Sequence, residues 1–311
     1  MHSTVTVLLA AYNGEAYIRQ MIESILSQDH KDILIILSDD NSTDATASIL
    51  DAYAAEYPHI ITHYRSGQRF GCAHKHFMHL LQVYQDRPYI MFCDQDDVWH
   101  PNKVSITLKR MKELEQITAC PVLVHTDLRV VDRDLNTIND SLCSLSGLNG
   151  NRLALNQLLV QNVVTGCTVM VNSALARLAC SGLVCDRMIM HDWWLALLAS
   201  CCGRSGFVPE STIDYRQHGN NSVGAKNVYS PMYLFKRLRS SSMRQAMKNA
   251  AAQADSFLKA YSHFLSEDQK EVISAFALTK DQNVFLRDKT YLRYGLLKNG
   301  LIRVAAQLLG L

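Results

Sequence analysis

Short apolar runs alternate with segments of helical periodicity over the first 110 residues, and this alternation leaves few folds open. The predicted strands are Thr4–Ala10, Ile33–Ser38, Ile60–Tyr64 and Tyr89–Cys93. The helices predicted between them are Glu15–Ser27, Asp44–Ala55 and Cys72–Gln85, with a further helix after Pro101. Strands that alternate with helices form βαβ units around a parallel sheet. We therefore predict an α/β fold in which helices flank a mainly parallel central sheet.

The pattern is looser from Pro121 to Arg216 and becomes helical beyond Tyr229. The middle part predicts strands at Val122–His125, Thr168–Val171 and Thr212–Arg216. It predicts helices at Leu153–Leu159, Ala174–Cys180 and Trp193–Cys201. A chain of 311 residues is long enough for one large domain with an appendage or for two domains.

Charge is divided unevenly along the chain, although the formal net charge is only +2. Residues 1–225 carry 17 Lys and Arg against 23 Asp and Glu, whereas residues 226–311 carry 14 against 6. Binding to nucleic acid by counterion release needs a concentrated basic excess, so we expect no nucleic-acid partner.

The nine cysteines include no CxxC pair, which indicates reduced thiols and a cytoplasmic protein. No apolar run approaches the roughly 20 residues that span a bilayer.

Three carboxylates follow the predicted strand Tyr89–Cys93, in the sequence Asp94-Gln95-Asp96-Asp97. Residues i and i+2 of an extended chain point to the same side, so Asp94 and Asp96 can face one site. Two carboxylates so close repel each other unless a cation lies between them. Oxygen ligands favour Mg²⁺ or Mn²⁺, and substrate phosphates usually complete the shell of Mg²⁺. The alternative is a solvated acidic turn in which Asp97 caps the helix after Pro101.

A second acidic group, which includes Asp39 and Asp40, follows the predicted strand Ile33–Ser38. Ser42 or Thr43 is predicted to cap the next helix, a role that does not explain Asp40. Ligands of open parallel sheets bind outside the carboxyl ends of the strands. Because both acidic groups are predicted at such ends, we expect them to belong to one site.

Seven motifs in order resemble those of family-2 glycosyltransferases with the A-type (GT-A) fold. The first four are Ala11-Tyr12-Asn13-Gly14, Ile25-Leu26-Ser27-Gln28, Ser38-Asp39-Asp40-Asn41-Ser42-Thr43-Asp44 and Asp94-Gln95-Asp96-Asp97-Val98-Trp99. The later three are similar to motifs of the bacterial rhamnosyltransferase-like branch. They are Thr165-Gly166-Cys167-Thr168, His191-Asp192-Trp193-Trp194 and the segment from Tyr215 to Ser222. The resemblance covers residues 4–224.

The resemblance implies a GT-A catalytic domain at residues 1–225 and a basic helical region at 226–311. Within the domain, it implies a nucleotide-binding half at 1–100 and an acceptor-binding half at 101–225. It also implies that Tyr12 packs near the pyrimidine base of the donor and that Asp40 accepts a hydrogen bond from that base. Asp94 would lie near the ribose and the metal, and Asp96 would bind the metal on the diphosphate. No role follows for Asp97.

On the acceptor side, the family has its general base at the start of a helix after the Thr-Gly-Cys segment, where this chain has His191 and Asp192. Inversion by direct displacement needs a base near the acceptor hydroxyl, so Asp192 is the predicted base and His191 its rival. Asp192 could instead only cap the helix. Related enzymes place a third metal ligand or a phosphate contact near His218, and the adjacent Arg216 could pair with phosphate.

The implied function is an inverting, metal-dependent hexosyltransferase that uses a nucleotide-sugar donor. The favoured donor is dTDP-rhamnose, with a glycan or lipid-linked acceptor in bacterial surface polysaccharide synthesis, such as O-antigen or capsule. A UDP-sugar is an alternative, because Asp40 would contact uracil and thymine through the same edge. A dinucleotide-binding oxidoreductase is disfavoured because no GxGxxG follows the first strand, and a P-loop enzyme because GxxxxGK[ST] is absent. A non-catalytic relative that binds nucleotide sugars stays open.

The basic tail from Lys226 to Leu311 has two interpretations. Lys236, Arg237, Arg239, Arg244 and Lys248 are interleaved with apolar residues, Met243 among them. Such a surface is attracted to anionic lipid, which predicts peripheral, salt-sensitive contact with the inner face of the cell membrane. Alternatively, the tail packs on the catalytic domain or on another copy of the chain, as in a homo-oligomer.

Overall fold

One mixed sheet runs through the computed structural model, which describes residues 3–117, 120–182, 187–218 and 242–309. Its strands are β1 (Val5–Ala11), β2 (Ile33–Asp39), β3 (Ile61–Tyr64), β4 (Tyr89–Asp94), β5 (Val98–Trp99), β6 (Val122–Val131), β7 (Thr137–Asn139), β8 (Met170–Asn172) and β9 (Arg204–Arg216). They lie in the order β3-β2-β1-β4-β8-β6-β9-β5, with β7 beside β6. The long pairings are parallel, while β8, β5 and β7 pair antiparallel over two or three residues. The predicted α/β fold with a mostly parallel sheet is confirmed.

Helices cover both faces of this sheet. Those before β9 are α1 (Ile18–Leu26), α2 (Thr46–Glu56), α3 (Ala73–Tyr84), α4 (Lys103–Glu115), α5 (Leu142–Leu145), α6 (Leu155–Val160), α7 (Ser173–Ser181) and α8 (His191–Cys202). Those after it are α9 (Ser242–Tyr261), α10 (Glu267–Leu278), α11 (Val284–Arg293) and α12 (Leu301–Leu308). Side chains of β1 alternate between the two sides of the sheet: Leu8 joins a core with α3 and α8, whereas Val7 and Leu9 join one with α1 and α4.

Most predicted elements appear within a few residues of their expected bounds, and the differences have local causes. The prediction that Ser42 or Thr43 caps α2 is wrong, because that helix begins at Thr46 after Ala45, and the Thr46 amide donates to Asp44 Oδ1 at 2.9 Å. Ser42 instead accepts a hydrogen bond from the Asn13 amide at 2.8 Å and donates one to Asp39. It therefore joins the turns that follow β1 and β2. The strand predicted at Thr212–Arg216 is the end of the 13-residue β9.

The C-terminal helices pack on the second half of the sheet domain. Met243, Met247 and Phe257 of α9 are buried in the same core as α8. Tyr261 donates a hydrogen bond to the Ala179 carbonyl at 2.8 Å and accepts one from the indole of Trp194 at 3.3 Å. Among the predicted tail residues, Lys236, Arg237 and Arg239 lie outside the described residues. The packing alternative for the tail is thus supported for α9, and the division at residue 225 stays a prediction.

None of the described helices combines the length and apolar character that a membrane crossing requires.

Candidate active site

The carboxyl ends of β1, β2 and β4 bring the predicted donor residues together. Ala11 is in register with Asp39, and Ala10 is in register with Asp94. The turn after β1 is fixed by neighbouring side chains: the Tyr12 amide donates to Gln95 Oε1 at 2.7 Å, and Gln95 Nε2 donates back to the Tyr12 carbonyl at 3.0 Å. A side chain at Gly14 would collide with Gln95, since an added Cβ would lie 2.4 Å from Oε1. The absence of a Cβ at Gly14 therefore lets the two strand ends approach each other.

Asp40 and Tyr12 line the side of the cleft predicted for the base. Asp40 is only 5% exposed, and its carboxylate accepts hydrogen bonds from the amides of Phe70 at 2.5 Å and Gly71 at 2.8 Å. A carboxylate has about four acceptor positions, so Asp40 retains capacity for a further donor. The Tyr12 ring is 42% exposed and lies 5.0 Å from the Arg69 guanidinium, which also donates to its hydroxyl at 2.9 Å.

The carboxylates after β4 have three different environments. Asp94 is partly buried, and burial, together with the charges of Asp96 and Asp192, raises its pKa to about 7. Asp96 Oδ2 lies 2.6 Å from His218 Nε2. Asp97 is fully buried, and its Oδ1 accepts a hydrogen bond from the Arg216 amide at 3.0 Å. Burial raises the pKa of Asp97 well above its usual range. The alternative in which Asp97 caps the helix after Pro101 is wrong, since it ties β9 to the acidic turn.

Arg216 occupies a position different from the one predicted. Its guanidinium donates to the Asp96 carbonyl at 2.8 Å, the Arg133 carbonyl at 2.5 Å and Gln20 Oε1 at 2.7 Å. The same group lies 4.7 Å from the centre of the Tyr17 ring. Arg216 is 3% exposed and does not belong to the lining of the cleft. The predicted phosphate contact is therefore not supported, because neutral groups of the protein already hold this side chain where it positions the acidic turn.

The acidic residues after β4 offer ligands for a cation. Among the described residues, oxygens of Asp94 and Asp97 and the Cys167 sulfur lie within 4.8 Å of one another. Burial raises the pKa of the Cys167 thiol well above its usual range, so this soft ligand stays protonated. A hard cation suits the carboxylates better, and Asp94 and Asp96 line the open cleft together with His218. The oxygens of Asp94 and Asp96 are thus of the chemical kind that Mg²⁺ or Mn²⁺ prefers, whereas the ligand atoms that already lie close together are those of Asp94, Asp97 and Cys167.

Asp192 also lines the cleft and lies in the first turn of α8. Its Oδ1 accepts hydrogen bonds from the Trp193 amide at 2.5 Å and from Asn162 Nδ2 at 3.2 Å. The other carboxylate oxygen, Oδ2, lies on the side of Gly166, since a Cβ added to that glycine would be 3.5 Å from it. Burial raises the pKa of Asp192 to about 7, although hydrogen bonds from Trp193, Gly166 and Asn162 oppose this effect. The residue at the cap position of α8 is Met190, and Asp192 follows it in the first turn.

His191 is buried between aromatic rings. Its ring centre lies 4.6 Å from that of Phe77 and 5.0 Å from that of Phe92. Burial lowers its pKa to about 3, and neither ring nitrogen has a hydrogen-bond partner among the described residues. A neutral imidazole with so low a pKa is a weak base, so the structure favours Asp192 over His191.

One cleft of about 1150 Å³ joins these groups. The predicted site residues in its lining are Tyr12, Asp40, Asp94, Asp96, His191, Asp192 and His218. Trp193 also lines it, whereas Trp194 is core, as expected for at least one of the pair. The sequence analysis missed Asn162 and Gln95. Gln95 lies inside a recognised motif, but Asn162 meets Asp192 across 30 residues, and no local pattern signals that contact.

The chain was then compared with known proteins. The model of the family described as "Glycosyl transferase family 2" matches residues 6–178, more than half of the chain. The chain belongs to this family. Among relatives of this family 2 glycosyltransferase is the dTDP-rhamnosyl transferase RfbG of Shigella flexneri, 29% identical over 233 residues that cover 72% of this chain and 76% of the relative. An uncharacterized protein of Mycobacterium tuberculosis, Rv1520, is 29% identical over 70% of this chain and 59% of its own length.

Solved structures share the fold of this family 2 enzyme. TarS residues 1–349 from S. aureus, in complex with UDP, has a TM-score of 0.57 and 16% identity, covering 89% of this chain and 71% of that one. The mannosyltransferase PcManGT of Pyrobaculum calidifontis, in complex with GDP-Man and Mn²⁺, has a TM-score of 0.50 and 17% identity, with 94% and 79% covered. The predicted GT-A fold is confirmed.

Proposed function

We propose that this glycosyltransferase transfers a sugar with inversion and with the help of a divalent cation. The favoured donor is dTDP-rhamnose, and the favoured acceptor is a glycan or lipid-linked sugar in bacterial surface polysaccharide synthesis. One observation carries the proposal: the carboxylates of Asp192, Asp94 and Asp96 line one cleft, and Asp192 lies close enough for its charge to raise the pKa of Asp94. Carboxylates that can hold a cation on the leaving diphosphate, and a base that can take the acceptor proton, are the two parts that direct displacement needs.

The donor would lie along the ends of β1, β2 and β4. Tyr12 offers an aromatic face, and Asp40 an ionised acceptor for a pyrimidine N–H. Asp94, Asp96 and His218 would hold the cation, which when bound neutralises charge on the departing diphosphate. Arg216 acts on this group indirectly, since it holds the Asp96 carbonyl and its own amide binds Asp97.

Asp192 would act on the acceptor. The acceptor oxygen forms a bond to the anomeric carbon while the bond from that carbon to the diphosphate breaks, and the electron pair leaves with the diphosphate. The hydroxyl proton passes to a carboxylate oxygen of Asp192. Asn162 and the Trp193 amide hold the other oxygen, Oδ1, and so fix the orientation of the group. A base with a pKa near the working pH is effective in such a transfer.

The donor proposal rests on the similarity to RfbG, a dTDP-rhamnosyl transferase. The alternative donor is a UDP-sugar, supported by the fold shared with TarS, which binds UDP. The test is release of nucleoside diphosphate by the purified chain from dTDP-rhamnose, UDP-GlcNAc and GDP-Man, with Mg²⁺ or Mn²⁺ and a bacterial lipid extract as acceptor source. Preference for dTDP-rhamnose supports the proposal, and preference for UDP-GlcNAc supports the alternative. No release from any donor would favour a non-catalytic nucleotide-sugar-binding relative.

The raised pKa of Asp192 predicts the pH dependence of the reaction. Asp94 has a pKa of about 7 as well, and a saturating cation is expected to keep it ionised. Protonation of Asp192 below about pH 7 should then lower kcat/KM about tenfold for each unit of decreasing pH. Above that pH the rate should reach a plateau. The measurement is kcat/KM at saturating cation across this range, with circular dichroism at each pH to show that the protein stays folded. A rate that is flat or rises toward acid pH would contradict the assignment of Asp192 as base.

A further inference from the structure

Helix α11 presents its apolar residues to the outside. Of its ten residues only Tyr291 is buried, whereas Val284, Phe285, Leu286 and Leu292 are exposed. Phe285 is 82% exposed and Leu292 is 62% exposed. A helix on a globular protein usually buries its apolar stripe against the core. Exposed apolar side chains grouped in this way indicate a surface that something else covers.

Helix α12 has exposed apolar residues of its own. Leu301 is 89% exposed and Ile302 is 61% exposed, while Ala306 on the other side of the helix is buried. The two helices touch, because Arg287 of α11 donates a hydrogen bond to the Leu308 carbonyl of α12 at 3.2 Å. We name Phe285, Lys289, Leu292, Arg293, Leu301 and Ile302 the α11–α12 surface.

The charge around this surface is positive. Residues 283–309 contain five Lys and Arg and one acid, Asp288, which pairs with Arg287 at 2.8 Å. Arg293 lies 3.8 Å from Glu271 of α10, so the three cations of α11 meet two acids and leave a net positive charge. Lys289 and Arg293 line one shallow concavity of α11 together with Phe285 and Leu292. Cores of protein interfaces are poor in Lys, whereas surfaces that lie on anionic lipid combine Lys and Arg with Phe and Leu. The composition therefore favours a lipid surface over a second copy of the chain.

Helix α12 also reaches the cleft. Arg303 lies in the cleft lining and donates hydrogen bonds to the carbonyls of Ser146 and Gly147, the latter at 2.9 Å. Ser146 lines the cleft as well. The helix that exposes Leu301 and Ile302 on its outside thus forms part of the cleft wall.

We propose that the α11–α12 surface docks this protein on a bilayer that contains anionic lipid. Phe285, Leu292, Leu301 and Ile302 enter the boundary between headgroups and acyl chains, and Lys289 and Arg293 meet lipid phosphates. The docking itself does not depend on the proposed function. Only its consequence, which is that the acceptor end of the cleft comes to the leaflet, rests on that function.

The test is flotation of the full chain with phosphatidylcholine vesicles, with and without phosphatidylglycerol, at low and high salt. The native chain should float with the anionic vesicles at low salt and much less with the neutral ones. Phe285→Ser with Leu301→Ser should weaken the partition coefficient about tenfold or more, because two large apolar groups no longer leave water. Ile138→Ser is the matched control, since Ile138 is an exposed residue of β7, 54% accessible, away from this surface.

A second variant, Lys289→Glu with Arg293→Glu, tests the same surface if the apolar variant fails to fold. It should abolish the preference for anionic vesicles. Equal flotation of native and variant chains, or no flotation of the native chain, overturns the proposal. A native dimer in light scattering that becomes monomeric in both variants, without flotation, assigns the surface to a second copy instead. Flotation without turnover of any nucleotide sugar would remove the proposed function and leave the docking in place.

Discussion

Replacing Asp192 by asparagine is expected to lower turnover by roughly 10²–10⁴-fold, because an amide cannot take the acceptor proton that our proposal assigns to this carboxylate. Asparagine keeps an oxygen for the Trp193 amide, so the start of α8 should stay intact. Binding of donor and cation, measured by calorimetry, should be nearly unchanged. The product formed by the native enzyme should have the inverted anomeric configuration by NMR.

His191→Gln is the matched control for this variant. It changes the neighbouring residue, whose pKa near 3 leaves it uncharged at neutral pH. We expect it to retain far more turnover than Asp192→Asn. An inactive His191→Gln beside a nearly normal Asp192→Asn would move the base to the histidine, and a product with retained configuration would remove the displacement mechanism.

Replacing Asp96 by alanine is expected to lower turnover by about 10²–10³-fold or more, since charge on the departing diphosphate is then poorly compensated. Chelator should abolish the activity of the native enzyme, and added Mn²⁺ or Mg²⁺ should restore it. Titration of Mn²⁺ followed by electron paramagnetic resonance should show weaker binding to the variant.

Asp97→Asn is the control that separates the loss of a cation ligand from damage to the acidic turn. Asparagine can still accept the hydrogen bond from the Arg216 amide, and the raised pKa of Asp97 means that little charge is lost. This variant should retain most of the native turnover. Full activity of Asp96→Ala in excess chelator would show that the reaction needs no cation at these carboxylates.

The donor side of the site could be predicted because it depends on local order. Alternating elements predict parallel strands, and parallel strands end at a common edge, so Asp40 and Asp94 had to lie near each other. The pairing of Ala10 with both Ser38 and Asp94 shows this edge. A strand's alternation does not, however, predict which carboxylate is buried, and no role for Asp97 therefore followed from the sequence.

The position of Arg216 and the packing of the tail could not be predicted in this way, because they depend on contacts between distant parts of the chain. Arg216 resembles a phosphate ligand in sequence, yet it meets Gln20 across 196 residues. The tail shows the same limit. One of the two interpretations of the tail placed Met243 on a lipid-facing surface, whereas Met243 is 3% exposed and Phe285 is 82% exposed. Which face of an amphipathic helix meets the core is decided by its neighbours.

The hydrogen bond between Asp97 and the Arg216 amide also bears on the order of folding. It closes a loop of 119 residues, and contacts of large sequence separation form late and slowly. β1, β2 and β4 can pair before β9 has been synthesised, but the acidic turn then lacks its anchor and His218. We therefore expect nascent chains to gain a stable nucleotide-binding sheet first and the complete acidic group only after β9 has docked.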